Sequence, residues 1–114
     1  MMAVIFEVWP ASGRKDDYLK LAAALRSEVE KIDGFISIER FTSISDPTKY
    51  LSLSFWRDED AVSEWRSQWE HRDAQRRGRG DVFADYRLRV AAVARDYGMS
   101  EREQAPADSR VIHG

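Results

Sequence analysis

His71 is the residue in this chain best suited to move a proton near neutral pH. The other histidine, His113, stands next to the C-terminus. At ~100° per helical residue, His71 lies ~120° around its helix from Trp65, at the flank of the apolar stripe. There it would face either a pocket mouth or solvent. Tyr86, on a strand pattern, could donate a hydrogen bond to a bound oxygen, although an alternating strand aromatic also serves as core. Glu7 is an acid inside an apolar strand, costly unless paired, and Arg87 or Arg89 could pair with it across strands. Residues 71–79 carry four arginines against one aspartate. That segment suits an anion, but it equally suits a solvated helix end with cations at the negative pole of the dipole.

Composition narrows the chemistry. The chain has 114 residues, 43% apolar and 33% charged, which fits one globular domain. No cysteine is present, so disulfides, thiolate metal sites, iron–sulfur clusters and a Cys nucleophile drop out. With two histidines, a protein-built zinc or di-iron site is poorly supplied, and no metal ligands are assigned. The net charge of −2 argues against nucleic acid as partner. The third strand, Tyr50-Leu51-Ser52-Leu53-Ser54-Phe55-Trp56, also lacks the RNA-recognition signature. No run approaches the ~20 apolar residues of a membrane span. The N-terminus lacks the basic start and long apolar stretch of a signal peptide, so a cytoplasmic location is expected. Serines are plentiful, but no nucleophile-elbow motif accompanies His71.

The elements that must hold these groups follow from periodicity. Residues 2–9 read as a strand, ended by Pro10-Ala11-Ser12-Gly13. A helix from about Lys15 to Ile32 carries Tyr18, Leu21, Ala22, Leu25, Val29 and Ile32 on one stripe. Phe35 to Ser43 forms the next strand, with Ile36 and Ile38 on one face and Phe35 and Phe41 on the other. Asp46-Pro47-Thr48 makes the turn. In the strand from about Lys49 to Trp56, Leu51, Leu53 and Phe55 oppose Tyr50, Ser52, Ser54 and Trp56. Asp58 or a neighbour caps a helix over roughly Glu59 to Arg77, whose stripe is Ala61, Val62, Trp65 and Trp69. Gly78 to Gly80 breaks it. A last strand runs from about Val82 to Tyr97, with Tyr86, Leu88, Val90, Ala92 and Ala94 on one face and Arg87 and Arg89 on the other.

The order β-α-β-β-α-β is the split arrangement of a ferredoxin-like α+β fold with a four-stranded antiparallel sheet. Residues 1–97 form the domain, and 98–114 a polar tail that is mobile or wrapped on a partner. Both helices cover one face of the sheet, while aromatics stand on both. A second copy, sheet against sheet, is the economical cover, so a homodimer is expected.

Gly34-Phe35, the strand Tyr50–Trp56, the helix segment Asp60-Ala61-Val62-Ser63-Glu64-Trp65 and then Glu70-His71-Arg72 resemble, in order and spacing, the antibiotic biosynthesis monooxygenase family. The resemblance covers about residues 2–97. It implies a dimeric α+β barrel with a pocket in each subunit between sheet and helices, and a small hydrophobic or aromatic ligand. Some members oxidise polyketide aromatics with molecular oxygen and no cofactor, others degrade haem, and fold alone does not choose among them. The haem-degrading pattern uses an Asn on the first strand, a Trp in the second helix and a His ten residues later. Here Trp65 matches, Gln75 replaces the His, and the first strand offers Phe6 and Glu7. Two of three determinants are missing, and Gln75 cannot serve as an imidazole ligand. The resemblance therefore implies a cofactor-independent monooxygenase of a small aromatic or quinone-like metabolite. Trp65, Phe6 and Gln75 are then expected to bind substrate, and His71 and Tyr86 to act on it. A non-catalytic dimeric ligand-binding protein of the same fold is the alternative.

Overall fold

A computed structural model describes the backbone of residues 1–76 and 82–114 and the side chains of 1–69 and 82–114. Its elements are β1 (Met2–Pro10), α1 (Lys15–Val29), β2 (Phe35–Thr42), β3 (Tyr50–Trp56), α2 (Glu59–Arg76), β4 (Phe83–Ala92) and α3 (Ala107–His113). The strands form one antiparallel sheet in the order β2-β3-β1-β4. This is the ferredoxin-like α+β arrangement.

Local chemistry sets the element ends. Asp58 caps α2, its Oδ1 accepting from the Ala61 N–H at 3.0 Å. At the β2–β3 turn, Asp46 accepts from Thr48 N at 3.0 Å and from Trp9 Nε1 at 3.1 Å. Gly34 joins α1 to β2 at φ +95°, and a Cβ built there would stand 2.8 Å from the Ala61 Cβ. Gly34→Ala therefore meets both an unfavourable backbone region and a helix packed too close to retreat. We expect it to cost about 1–3 kcal/mol, read as a lowered denaturation midpoint. Substituting Ala61→Gly as well should restore only part of the loss, because the backbone strain remains.

Register decides which side chains share a face. On the helix side, three rows cross the sheet from β2 to β4: Ile38-Ser54-Val4-Val90, Arg40-Ser52-Phe6-Leu88 and Thr42-Tyr50-Val8-Tyr86. The alternation expected for β3 holds, with Tyr50, Ser52, Ser54 and Trp56 buried and Leu51, Leu53 and Phe55 only half-buried. Around Trp56, Val4, Val29, Ile32, Ala61, Val62 and Trp65 pack as one core cluster. A second cluster gathers Phe6, Val8, Tyr18, Ala22 and Tyr50, and Trp69 and Leu88 touch both.

Three expectations change. Phe35 does not share the face of Phe41. A bulge between Phe35 and Ser37 inserts Ile36 opposite β3, which returns Phe35 to the helix side, where its ring meets Trp56 edge-on at 5.5 Å. Ile36 is left exposed. The last strand ends at Ala92, opposite Met2, rather than near Tyr97, with one further backbone bond from Val93 N to the Met1 carbonyl at 3.0 Å. α1 stops at Val29, although Ile32 is still buried in the same cluster. Residues 98–114, expected as a polar tail, contain the short helix α3. Arg102 ties the tail together through Gly98 O, Ser109 Oγ and Gly114 O.

The face away from the helices carries Ala3, Ile5, Phe41, Leu51, Leu53 and Phe55. Glu7 stands among them, paired as expected with Arg89 at 3.2 Å and also with Lys49 at 3.1 Å. The Lys49 ammonium holds its carboxyl below the usual glutamate value.

Candidate functional site

A cavity lies between the helix side of the sheet and the two long helices. Phe6 of β1, Ile38 and Arg40 of β2 and Ser52 of β3 supply its sheet wall. Tyr18, Leu21, Ala22, Leu25 and Val29 come from α1, Trp65 and Trp69 from α2, and Phe83 from the start of β4. As it stands the cavity is smaller than a small-molecule site, so a ring enters only if its walls move. Only about 30 Å³ can be reached by the centre of a water-sized sphere, room for roughly two waters.

The apolar walls are aromatic and mutually packed. Trp65 and Trp69, four residues apart on α2, stack with centroids 6.5 Å apart. Trp69 stacks in turn on Phe83 at 6.3 Å, and meets Phe6 edge-on at 5.7 Å. Flat faces of this kind suit a planar or ring-shaped ligand.

The polar wall is short. Arg40 and Ser52 are cross-strand partners, and Ser52 is also the partner of Phe6, so a cation, a hydroxyl and an aromatic ring follow one another along a single row. Arg40 Nη2 donates to the Ala22 carbonyl at 3.2 Å. Among the described residues its Nε, closed off from solvent, has no acceptor. Tyr18 reaches the same place from α1. Burial pushes its phenol up from the ordinary tyrosine value while the Arg40 guanidinium pulls the other way. The hydroxyl therefore stays protonated at neutral pH; it accepts from Arg40 and keeps its own proton to donate.

Of the residues singled out from sequence, Trp65 and Phe6 line this cavity, both nearly buried. Tyr86 stands beside it, half-exposed, its ring 5.6 Å from both Phe6 and Trp69. It is not among the cavity walls. His71 and Gln75 belong to α2, but their side chains lie outside the described residues, as do those of the basic segment 71–79 and the break expected at 78–80. Sequence reasoning did not single out Arg40, and it read Tyr18 only as core. The available signal was a charged residue two positions from Ile38 on one strand, a position that alternation assigns to the buried face. Among the described residues, no three His, Cys, Asp or Glu side chains gather as a metal-binding group, and no helix is long and apolar enough to cross a membrane.

The family model described as antibiotic biosynthesis monooxygenase matches residues 1–77. Over 93 residues, 82% of this chain, the sequence is 50% identical to a protein of Pyricularia oryzae named jasmonate monooxygenase ABM. The chain spans only 43% of that protein's length. Among solved structures, Rv0793 from Mycobacterium tuberculosis superposes with a TM-score of 0.71 at 16% identity, covering 85% of this chain and 98% of that one. SnoaB, a cofactor-independent oxygenase from Streptomyces nogalater, gives 0.67 at 12% identity, covering 83% and 94%. At such identities the solved structures speak to the fold alone.

Proposed function

Because the chain belongs to the antibiotic biosynthesis monooxygenase family, we propose that it is a cofactor-independent monooxygenase acting on a small aromatic or quinone-like metabolite in the cavity beneath α1 and α2. The observation that carries this reading is the aromatic box of Phe6, Trp65, Trp69 and Phe83 set against the polar wall of Tyr18, Arg40 and Ser52. A substrate of the anthrone type supplies all four electrons itself. One methylene plus O₂ becomes one carbonyl plus water, and no external reductant is consumed. The protein's part is to hold the ring flat, accept the acidic proton and exclude bulk water from the reactive anion. His71 takes that proton in this scheme, Tyr86 donates to the bound oxygen, and Trp65, Phe6 and Gln75 contact the substrate. Trp69 and Phe83, both half-buried, are the rim side chains that must change rotamer to admit a ring.

The chain acts as a homodimer in this reading. The second copy covers the apolar sheet face of Ile5, Leu51, Leu53 and Phe55, which a single layer of helices leaves open. The tail of residues 98–114 then wraps onto that partner, consistent with its exposed Met99, Val111 and Ile112.

Oxygen uptake with a panel of anthrones and quinols tests the activity. The expected result is one O₂ consumed per substrate without accumulation of hydrogen peroxide, and a loss of about ten-fold or more in kcat/KM for Trp65→Phe if the indole face positions the ring. Binding that quenches tryptophan fluorescence with no oxygen consumed across the panel would sink the oxygenase reading and leave a non-catalytic ligand-binding protein.

A further inference from the structure

Arg40 is a half-buried cation with no counter-ion among the described residues. Its side chain sits on the helix face of β2, among the cavity walls and under α1. The guanidinium is always protonated. Among the described residues no carboxylate pairs with it. The guanidinium donates to the Ala22 carbonyl and hydrogen-bonds the Tyr18 hydroxyl, neither of which carries a charge, and among the described residues Nε has no acceptor although it is shut off from solvent. An N–H left unpaired away from water costs about 1–3 kcal/mol, and more on an ion. A fold that keeps such a group must gain its partner elsewhere. The neighbouring polar groups fit that need, since the protonated Tyr18 hydroxyl is a second donor and Ser52 a third.

We propose that the cavity binds an organic anion, its carboxylate or ionised enol oxygen seated on Arg40 Nε and the Tyr18 hydroxyl, with its ring or hydrocarbon body against Phe6, Trp65 and Trp69. This rests on the reading of the cavity as the substrate site, and narrows the substrate to an acidic one. Arg40 binds and orients the anion. It fixes which end of the ligand points toward β2, and therefore which carbon lies beside the aromatic wall.

The test is a titration of the full chain with matched acids and methyl esters, followed by tryptophan fluorescence and calorimetry in the absence of turnover. Jasmonic acid with methyl jasmonate, and 1-naphthaleneacetic acid with its methyl ester, separate charge from shape. The expected result is roughly ten- to hundred-fold tighter binding of at least one acid than of its ester. That preference should vanish in Arg40→Gln and survive in part in Arg40→Lys, which keeps the charge but loses the planar fork. Esters that bind as tightly as acids, no binding of either acid, or a preference that persists in folded Arg40→Gln would each overturn the proposal. Should Arg40→Gln fail to fold, the acid–ester comparison on the unmodified chain still decides it. Because binding is read without oxygen, the two readings fail separately. An acid-selective chain that consumes no O₂ loses the oxygenase reading and keeps the anion site. One that oxidises neutral phenols and ignores acids loses only the anion site.

Discussion

Trp56→Ala will lower the free energy of unfolding by about 3–5 kcal/mol, the range for truncating a fully buried large aromatic. Trp56 is 0% exposed and stands where the sheet, Ile32 and α2 meet. Removing the indole opens a cavity bounded by Phe35, whose ring is 5.5 Å away, and Trp65, at 6.3 Å. It also strips the Ser54 hydroxyl, itself buried, of the indole N–H that donates to it at 2.9 Å. Domains of this size are stable by only about 5–15 kcal/mol, so the variant should lose a large share of its stability. Trp56→Phe keeps most of the volume and loses only the hydrogen bond, so about 1–2 kcal/mol is expected. Urea denaturation of both variants measures the difference. A loss below about 1 kcal/mol for Trp56→Ala would show that this corner of the core is not closely packed.

Leu53→Glu will convert the proposed dimer to monomer at micromolar concentration. Leu53 lies mid-sheet on the open face, between Ile5 of β1 and Glu39 of β2. In a lone protomer the new carboxylate reaches water, so the fold should survive, as far-UV circular dichroism would report. In a sheet-to-sheet dimer the same carboxylate is buried without a cation and beside Glu39. An uncompensated buried charge costs about 3–5 kcal/mol and the dimer buries one from each protomer, so its Kd rises by at least roughly two to three and a half orders of magnitude. Sedimentation velocity of the two chains reads this directly. A variant that still sediments as a dimer would move the interface off this face.

The two substitutions probe opposite sides of one sheet, and the asymmetry between them is a consequence of layering. Trp56 is held by the chain's own helices, so its loss registers as stability. Leu53 is only half-buried in the protomer, on the face away from the helices, so its change should register as assembly.

Much of this was legible in the residues. Alternation along Tyr50–Trp56 sorted the two faces of β3, because side chains in a strand change sides at every step. The three- and four-residue spacing of Tyr18, Leu21, Ala22 and Val29, and of Ala61, Val62, Trp65 and Trp69, located the buried stripes of both helices. Asp58 announced the start of α2, and the order of elements then specified the fold. Family membership followed from short motifs in the right sequence, with Trp65 the residue they carried into the cavity.

Only the tertiary structure decided the rest. Periodicity says which face a residue occupies, but it does not say what stands opposite. Arg40, Ser52 and Phe6 became one row because the β2–β3 and β3–β1 registers align them, and Tyr18 joined them because α1 packs across that row. The bulge at Ile36 moved Phe35 to the other face, which a strict two-residue alternation cannot foresee. The last strand stopped at Ala92, opposite Met2, although its own sequence was fit to continue. Each of these depends on pairing between segments far apart in the chain. Local sequence therefore determined the elements and their faces, while long-range register and packing determined the site.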